Sequence, residues 1–202
     1  MLDPRWVFVA AALSLIGSIT YARATAIGAA RPNLVTWTLW AAVPAVAFLA
    51  QLASGVGLPA VMTLSAAVGP AIVVAIAVTT RHSRVRLGTF DFACAGIAGC
   101  AVLVWGGLGK APAAVLLAIA ADGVALLPTL KKAWADPSSE RIEFFVLVAI
   151  GAVITLLTVG SWAMQEWAFA AYQFVACAVL IGVVFVRRRR SLHWSAVVPR
   201  RL

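Results

Sequence analysis

Asp122 is the residue best placed to do chemistry in this sequence. It opens the stretch DGVALLPTLKKAWADPSSE and falls inside the apolar run Ala111–Leu130. At about 1.5 Å per residue, a helix over that run carries Asp122 close to mid-length. In a bilayer a carboxylate at that depth costs about 2.5–3.5 kcal/mol on insertion scales. It must therefore face a cavity, meet a partner or hold a proton. Solute binding or proton coupling is the chemistry that fits, and a hydrogen bond to a neighbouring helix is the structural alternative. Other polar residues inside apolar runs are candidates to join it. Tyr172 and Gln173 are adjacent, and successive helical residues point about 100° apart, so one of the two is expected to line a cavity. Trp40 lies one turn deeper than Trp37. Thr155 and Thr158 occupy neighbouring faces of one run, Ser14 and Ser18 share a face of another, and Gln51 and Ser65 are further polar positions. Taken singly, such residues also serve to glue membrane helices together. Pro44, Pro70 and Pro128 fall inside runs. Each removes a backbone hydrogen bond and permits a bend, which makes them candidate hinges.

Several other chemistries have no residues to carry them. The last apolar run contains no lysine for a retinal Schiff base, and His82 and His193 have no ligand cluster around them. Gly106-Gly107-Leu108-Gly109 is a glycine-rich turn without the helix signature of a phosphate loop, and neither a nucleophile elbow nor a zinc-binding helix motif occurs. No catalytic residue, metal site or cofactor is expected, and the chain does not read as an enzyme. Cys94, Cys100 and Cys177 all lie in apolar runs without CxxC spacing, as small buried helix residues do.

The elements that must position Asp122 follow from composition. Of 202 residues, 63% are hydrophobic and 11% charged, far from the balance of a soluble domain. One core cannot hide that excess, so the outer solvent is lipid and the segments are helices. Seven spans can be drawn: Trp6–Gly28, Leu34–Ser54, Leu58–Thr80, Phe90–Leu108, Ala111–Leu130, Ile142–Trp162 and Trp167–Val186. Ala22-Arg23-Ala24 resembles a signal cleavage site, but Met1–Arg5 lacks a basic leader, so the first span is expected to be retained. The net charge of +9 sits at the ends of apolar runs and does not indicate nucleic acid. Fourteen of the sixteen basic residues lie after spans one, three and five or in the tail; Arg5 and Lys110 are the others. The positive-inside rule then places the protein in the cell (inner) membrane with its N-terminus outside and its tail in the cytoplasm. Tryptophans mark the span ends as interfacial belts, Trp37 and Trp134 among them. Asn33 is expected to cap span two and Ser138 or Ser139 span six, with Glu140 and Glu143 in the first turn near the positive end of the helix dipole. Arg23 should snorkel to the inner surface. The tail, RRRRSLHWSAVVPRRL, is expected to lie on anionic lipid of the inner leaflet.

Shifting the chain by 105 residues lays the first three spans on the last three. Pro32 falls on Pro137, Gly55 on Gly160, and Arg81–Arg86 overlaps Arg187–Arg190. The organisation is then residues 1–80 as one three-helix repeat, 81–110 as a basic loop and linker helix, 111–190 as a second repeat and 191–202 as a basic cytoplasmic tail. The two triplets point the same way, a known transporter design. Leu127-Pro128-Thr129-Leu130-Lys131-Lys132-Ala133-Trp134, followed by Pro137-Ser138-Ser139, resembles the PQ-loop signature, with Thr129 in place of glutamine. In the first repeat Arg23 stands where Pro128 does in the second, and only the Pro32-Asn33 helix start remains.

With the 3+1+3 arrangement, this is similar to the PQ-loop and SWEET superfamily of small transporters. The resemblance implies an all-α integral membrane protein whose two three-helix bundles rock around a central site to carry a sugar, amino acid or similar small solute. Asp122, Tyr172, Gln173, Trp40, Ser18, Thr155 and Thr158 are the candidate solute or proton ligands, and Pro128, Pro44 and Pro70 the candidate hinges. The expected partners are the bilayer, anionic lipid and an unidentified solute, with assembly into a homo-oligomer left open. Because the superfamily also contains a sorting receptor, a non-transporting scaffold or receptor that acts through the basic loops and tail is the alternative.

Overall fold

A computed structural model describes residues 2–53, 55–80, 88–90, 92, 93, 96, 103, 107 and 111–197, with backbone alone at 50, 111–114 and 190–197. Among these residues every regular element is helical. The α-helices are α1 Val7–Ala26, α2 Leu34–Ala53, α3 Ala60–Thr79, α4 Ala111–Ala135, α5 Ile142–Thr158 and α6 Met164–Val197, with 3-10 turns at Pro4–Trp6 and Pro137–Ser139. Six helices are therefore described where the sequence predicts seven. Most of the expected fourth span and linker, with Cys94, Cys100, Trp105 and Lys110, lies outside the described residues, as do Arg81, Arg84, Arg86 and His82. So do the last five residues, with Arg200 and Arg201, and the side chains of Arg190, His193 and Trp194.

Local chemistry sets the helix ends. Gly28 and Gly55 adopt φ of 75° and 72°, a left-handed conformation that costs glycine little. At α1 the Gly28 N–H donates to Thr25 O at 3.1 Å and the Ala29 N–H to Ala24 O at 2.8 Å. At α2 the Gly55 N–H donates to Leu52 O at 3.0 Å and the Val56 N–H to Gln51 O at 2.9 Å. Both are Schellman closures, which satisfy carbonyls left over at a helix end. Asn33 caps α2, its Oδ1 accepting from the N–H groups of Val35 and Thr36 at 3.0 and 3.3 Å. The expected serine cap on α5 is not formed. Arg141 occupies that position without a side-chain cap, because Ser139 donates to Asp136 O at 2.7 Å instead. Asp136 caps the short turn Pro137–Ser139.

Two helices outrun the predicted spans. α4 continues through Pro128 to Ala135, so the Lys131-Lys132 pair is helical. α6 has 34 residues, about 50 Å at 1.5 Å per residue against a hydrocarbon layer of about 30 Å. It passes the expected tail boundary at residue 190 without a break.

Among the described residues four helices, Pro4–Ala26 (α1 with its leading turn), α2, α3 and Met164–Arg189 of α6, are long and apolar enough to cross a membrane, and α5 is a shorter apolar helix. Large apolar side chains also cover their outer faces, among them Phe8, Leu49, Leu52, Val78, Leu157 and Val175. Water does not tolerate such continuous apolar surface. This is an all-helical architecture of the membrane type.

The helices close into a ring. α3 packs against both α1 and α2, and α6 packs against both α4 and α5. The two groups join where α1 meets α5 and where α2 meets α4. The α1–α5 contact is close because small residues face it. A Cβ on Gly151 would lie 2.9 Å from the carbonyl oxygen of Ala10, and one on Gly17 would lie 3.3 Å from the Phe144 ring. At one end of the ring Arg31 pairs with Asp136, and the Arg31 N–H donates to Ser139 O at 3.2 Å. This is called the basic end below. At the opposite end the Leu2 N–H donates to Leu157 O at 2.9 Å, and the Gln51 amide donates to Gln165 O at 3.1 Å. α1 and α4 therefore both run toward the basic end.

Candidate functional site

Both long-range requirements of Asp122, a cavity and a partner, are met. Its side chain is buried, and its Oδ2 accepts a hydrogen bond from the Tyr172 hydroxyl at 2.7 Å, from α4 to α6. Both residues line a cavity of about 40 Å³ together with Trp40 and Pro44 of α2, Ser14 of α1, Ala66 and Pro70 of α3, and Phe144, Phe145 and Val148 of α5. Gln173, Ala176, Cys177 and Leu180 complete the α6 wall. All six described helices thus contribute to one chamber. Tyr172 and Gln173 both reach it, where a 100° separation predicts one. The cavity lies against α6 broadly enough to take two successive positions.

Two of the prolines, Pro44 and Pro70, line the cavity themselves. Proline has no N–H, so a helix carbonyl four residues earlier loses its usual donor. For Pro44 and Pro70 those carbonyls belong to Trp40 and Ala66, and both residues line the cavity. Side-chain groups are also left over. The Gln173 Oε1 is buried with no hydrogen-bond partner. So is the Trp40 indole N–H, although it stands close enough to bear on the Asp122 carboxylate. Buried polar groups in this condition are uncommon in folded proteins; Thr36, Trp37, Gln51 and Thr129 carry others outside the chamber lining.

The remaining candidates stand elsewhere. Ser18 donates to Ser14 O at 2.9 Å and packs against Gly69, where a Cβ would fall 2.1 Å from its Oγ. Thr155 and Thr158 donate to Gly151 O and Thr155 O of their own helix at 2.9 and 2.7 Å, and Ser65 donates to Met62 O at 2.7 Å. These hydroxyls fold back on their helices, as serine and threonine do in apolar surroundings. Gln51 ties α2 to the start of α6. Pro128 is buried outside the cavity lining.

A second buried carboxylate lies at the basic end. Glu140, expected as a helix-start residue, is 0% exposed. Its Oε2 accepts from the Tyr21 hydroxyl at 2.8 Å and its Oε1 pairs with Lys132 Nζ at 2.6 Å. Lys132 also donates to Arg31 O. Arg188 donates to the Glu140 and Pro137 carbonyls at 2.8 and 3.2 Å, and Arg187 donates to Trp134 O at 2.8 Å. These two arginines of the expected lipid-binding run thus bond backbone carbonyls at the end of α4 and in the turn that follows it. Near them, the Ser138 hydroxyl, with Arg31 beside it, holds the Asp136 carboxyl below its usual range. Trp37 is likewise not interfacial. It is 0% exposed and sits with Tyr21, Trp40, Phe144 and Phe145 in an aromatic cluster with ring centroids 4.3–6.3 Å apart. Trp40, Phe144 and Phe145 of that cluster also line the cavity, and Tyr21 bonds Glu140, so the cluster connects the two places.

One signal in the sequence pointed to this second site. The chain has nine phenylalanines and two tyrosines. Each tyrosine hydroxyl donates to one of the two carboxylates buried among the described residues, as tyrosine does where its polar tip finds a partner. No family model, curated protein or solved structure matches this chain.

Proposed function

We propose that this chain carries a small solute across the inner membrane by alternating access, as a seven-helix protein of two parallel three-helix repeats in the PQ-loop/SWEET manner. The carrying observation is the chamber at the junction of the two helix groups, holding Asp122, its Tyr172 partner and the unpartnered groups of Gln173 and Trp40. Two contacts support the repeat. Arg31 and Asp136 are 105 residues apart and pair directly. Trp40 and Phe145 are also 105 apart, and their rings meet at 6.3 Å. This is the offset at which Pro32 falls on Pro137. In a two-fold arrangement equivalent residues touch only beside the axis, so these pairs support an axis through both the chamber and the basic end.

On this reading the two groups rock against each other on either side of that axis. The Tyr21–Glu140 bond and the Arg31–Asp136 pair hold them together at the cytoplasmic end, and opening inward breaks both. The test is uptake into proteoliposomes. Asp122→Asn should abolish or uncouple uptake while leaving folded yield near normal, and unchanged uptake would remove Asp122 from the mechanism. A scaffold or receptor working through the tail is the rival. It requires that deletion after Arg190 remove activity with the helices intact, and intact function in that deletion counts against it.

A further inference from the structure

The chemistry of the chamber restricts what it can hold. Among the described residues no lysine, arginine or histidine lines it, and Asp122 stands in no ion pair. An anion therefore finds no positive partner there. Its acceptors include the Asp122 carboxylate and the unpartnered Gln173 Oε1. Its donors are the Tyr172 hydroxyl, already given to Asp122, the Trp40 indole N–H, the Ser14 hydroxyl and the Gln173 amide N–H groups. A cation that also donates hydrogen bonds satisfies the carboxylate and the Gln173 oxygen together. The walls agree, since Trp40, Tyr172, Phe144 and Phe145 all line the chamber, and aromatic faces attract organic cations. Size is the third limit. At 40 Å³ the chamber offers about three times what one water needs, so a ligand of about three or four heavy atoms fits. Depth is the fourth. Asp122 lies about 16 Å along α4 from Ala111 and about 20 Å from Ala135, beyond the reach of a lipid headgroup ammonium at either surface.

We propose that the chamber binds a small protonated amine, its ammonium on Asp122 and Gln173 and its alkyl part against the aromatic rings. This rests on the carrier reading for its biological use, but not for the binding itself.

The test uses the full chain purified in detergent, with calorimetry and thermal unfolding. Methylammonium and ethylammonium are compared with ethanol, acetamide, acetate and sodium chloride at matched ionic strength. The two ammonium ions should bind and raise the unfolding temperature, while the neutral molecules, acetate and sodium should not. Asp122→Asn should weaken the binding by about thirtyfold or more, as expected for losing one partner of a buried charge pair. Trp40→Leu should weaken it separately and carries the test if the first variant does not fold. Equal binding of ethanol or sodium, binding unchanged in both variants, or no ammonium binding overturns the proposal. Flux of the same amines into proteoliposomes is measured in parallel. Binding without flux leaves the amine site standing and removes the carrier reading. Flux of a neutral solute without amine binding does the reverse.

Discussion

Tyr21 and Tyr172 divide the buried acid chemistry of the described residues between two places. Tyr172 serves a carboxylate with open space and leftover partners around it, and Tyr21 serves one that is closed in. Glu140 is 0% exposed, while Lys132 keeps a 14% exposed side chain. The two partners should therefore respond unequally to mutation. Lys132→Met strands a carboxylate away from solvent, and breaking a buried pair that way costs about 3–5 kcal/mol. Glu140→Gln keeps an acceptor for Tyr21, and Lys132 retains the Arg31 carbonyl, so about 1–2 kcal/mol is expected. Thermal unfolding in detergent should rank Lys132→Met well below Glu140→Gln, and the opposite order would mean that Glu140 does not need its lysine.

The same contrast appears between helices. α1 and α5 meet through small residues, and the carbonyl oxygen that a Gly151 Cβ would strike belongs to rigid backbone. Gly151→Ala should therefore cost about 1–3 kcal/mol through overpacking. Gly182 of α6 has nothing within 4 Å of a Cβ, and replacing it with alanine should stabilise by up to about 1 kcal/mol through helix propensity. Equal effects at the two positions would show that α1 and α5 do not dock as described. The C-terminal part of α6 belongs to this scale too. Arg188 holds two carbonyls in and beside the Pro137–Ser139 turn, so Arg188→Ala should loosen that turn, and amide exchange around Ser138 should rise.

Across the whole molecule, the Arg31–Asp136 pair joins the two helix groups at a point where residues 105 apart meet. Motion of one group against the other must separate these residues. With cysteines at both positions in a background free of native cysteine, a short bifunctional maleimide should block uptake. It should leave ligand binding in the chamber intact, because the chamber lies turns away along α2 and α4. Uptake that survives efficient cross-linking would rule out opening at the basic end. Labelling single cysteines near Leu2 and near Arg189 in intact cells tests the proposed orientation: the first should react with an impermeant reagent and the second should not.

The amino-acid sequence by itself determined the membrane class, the places where most helices begin and end, and the depth of Asp122 along its helix. These depend on a residue and its near neighbours: hydropathy over about twenty positions, glycine at a left-handed turn, asparagine at a helix start. It did not determine which polar residues face the chamber. Ser18, Thr155 and Thr158 looked as suitable as Gln173, because a hydroxyl that bonds its own helix reads the same as one aimed at a ligand. Nor did it reveal Glu140 as a buried partner of Tyr21, 119 residues away. Only the ring of helices, which sets how each is rotated against its neighbours, decided that one carboxylate stands in an open chamber and the other in a closed seam.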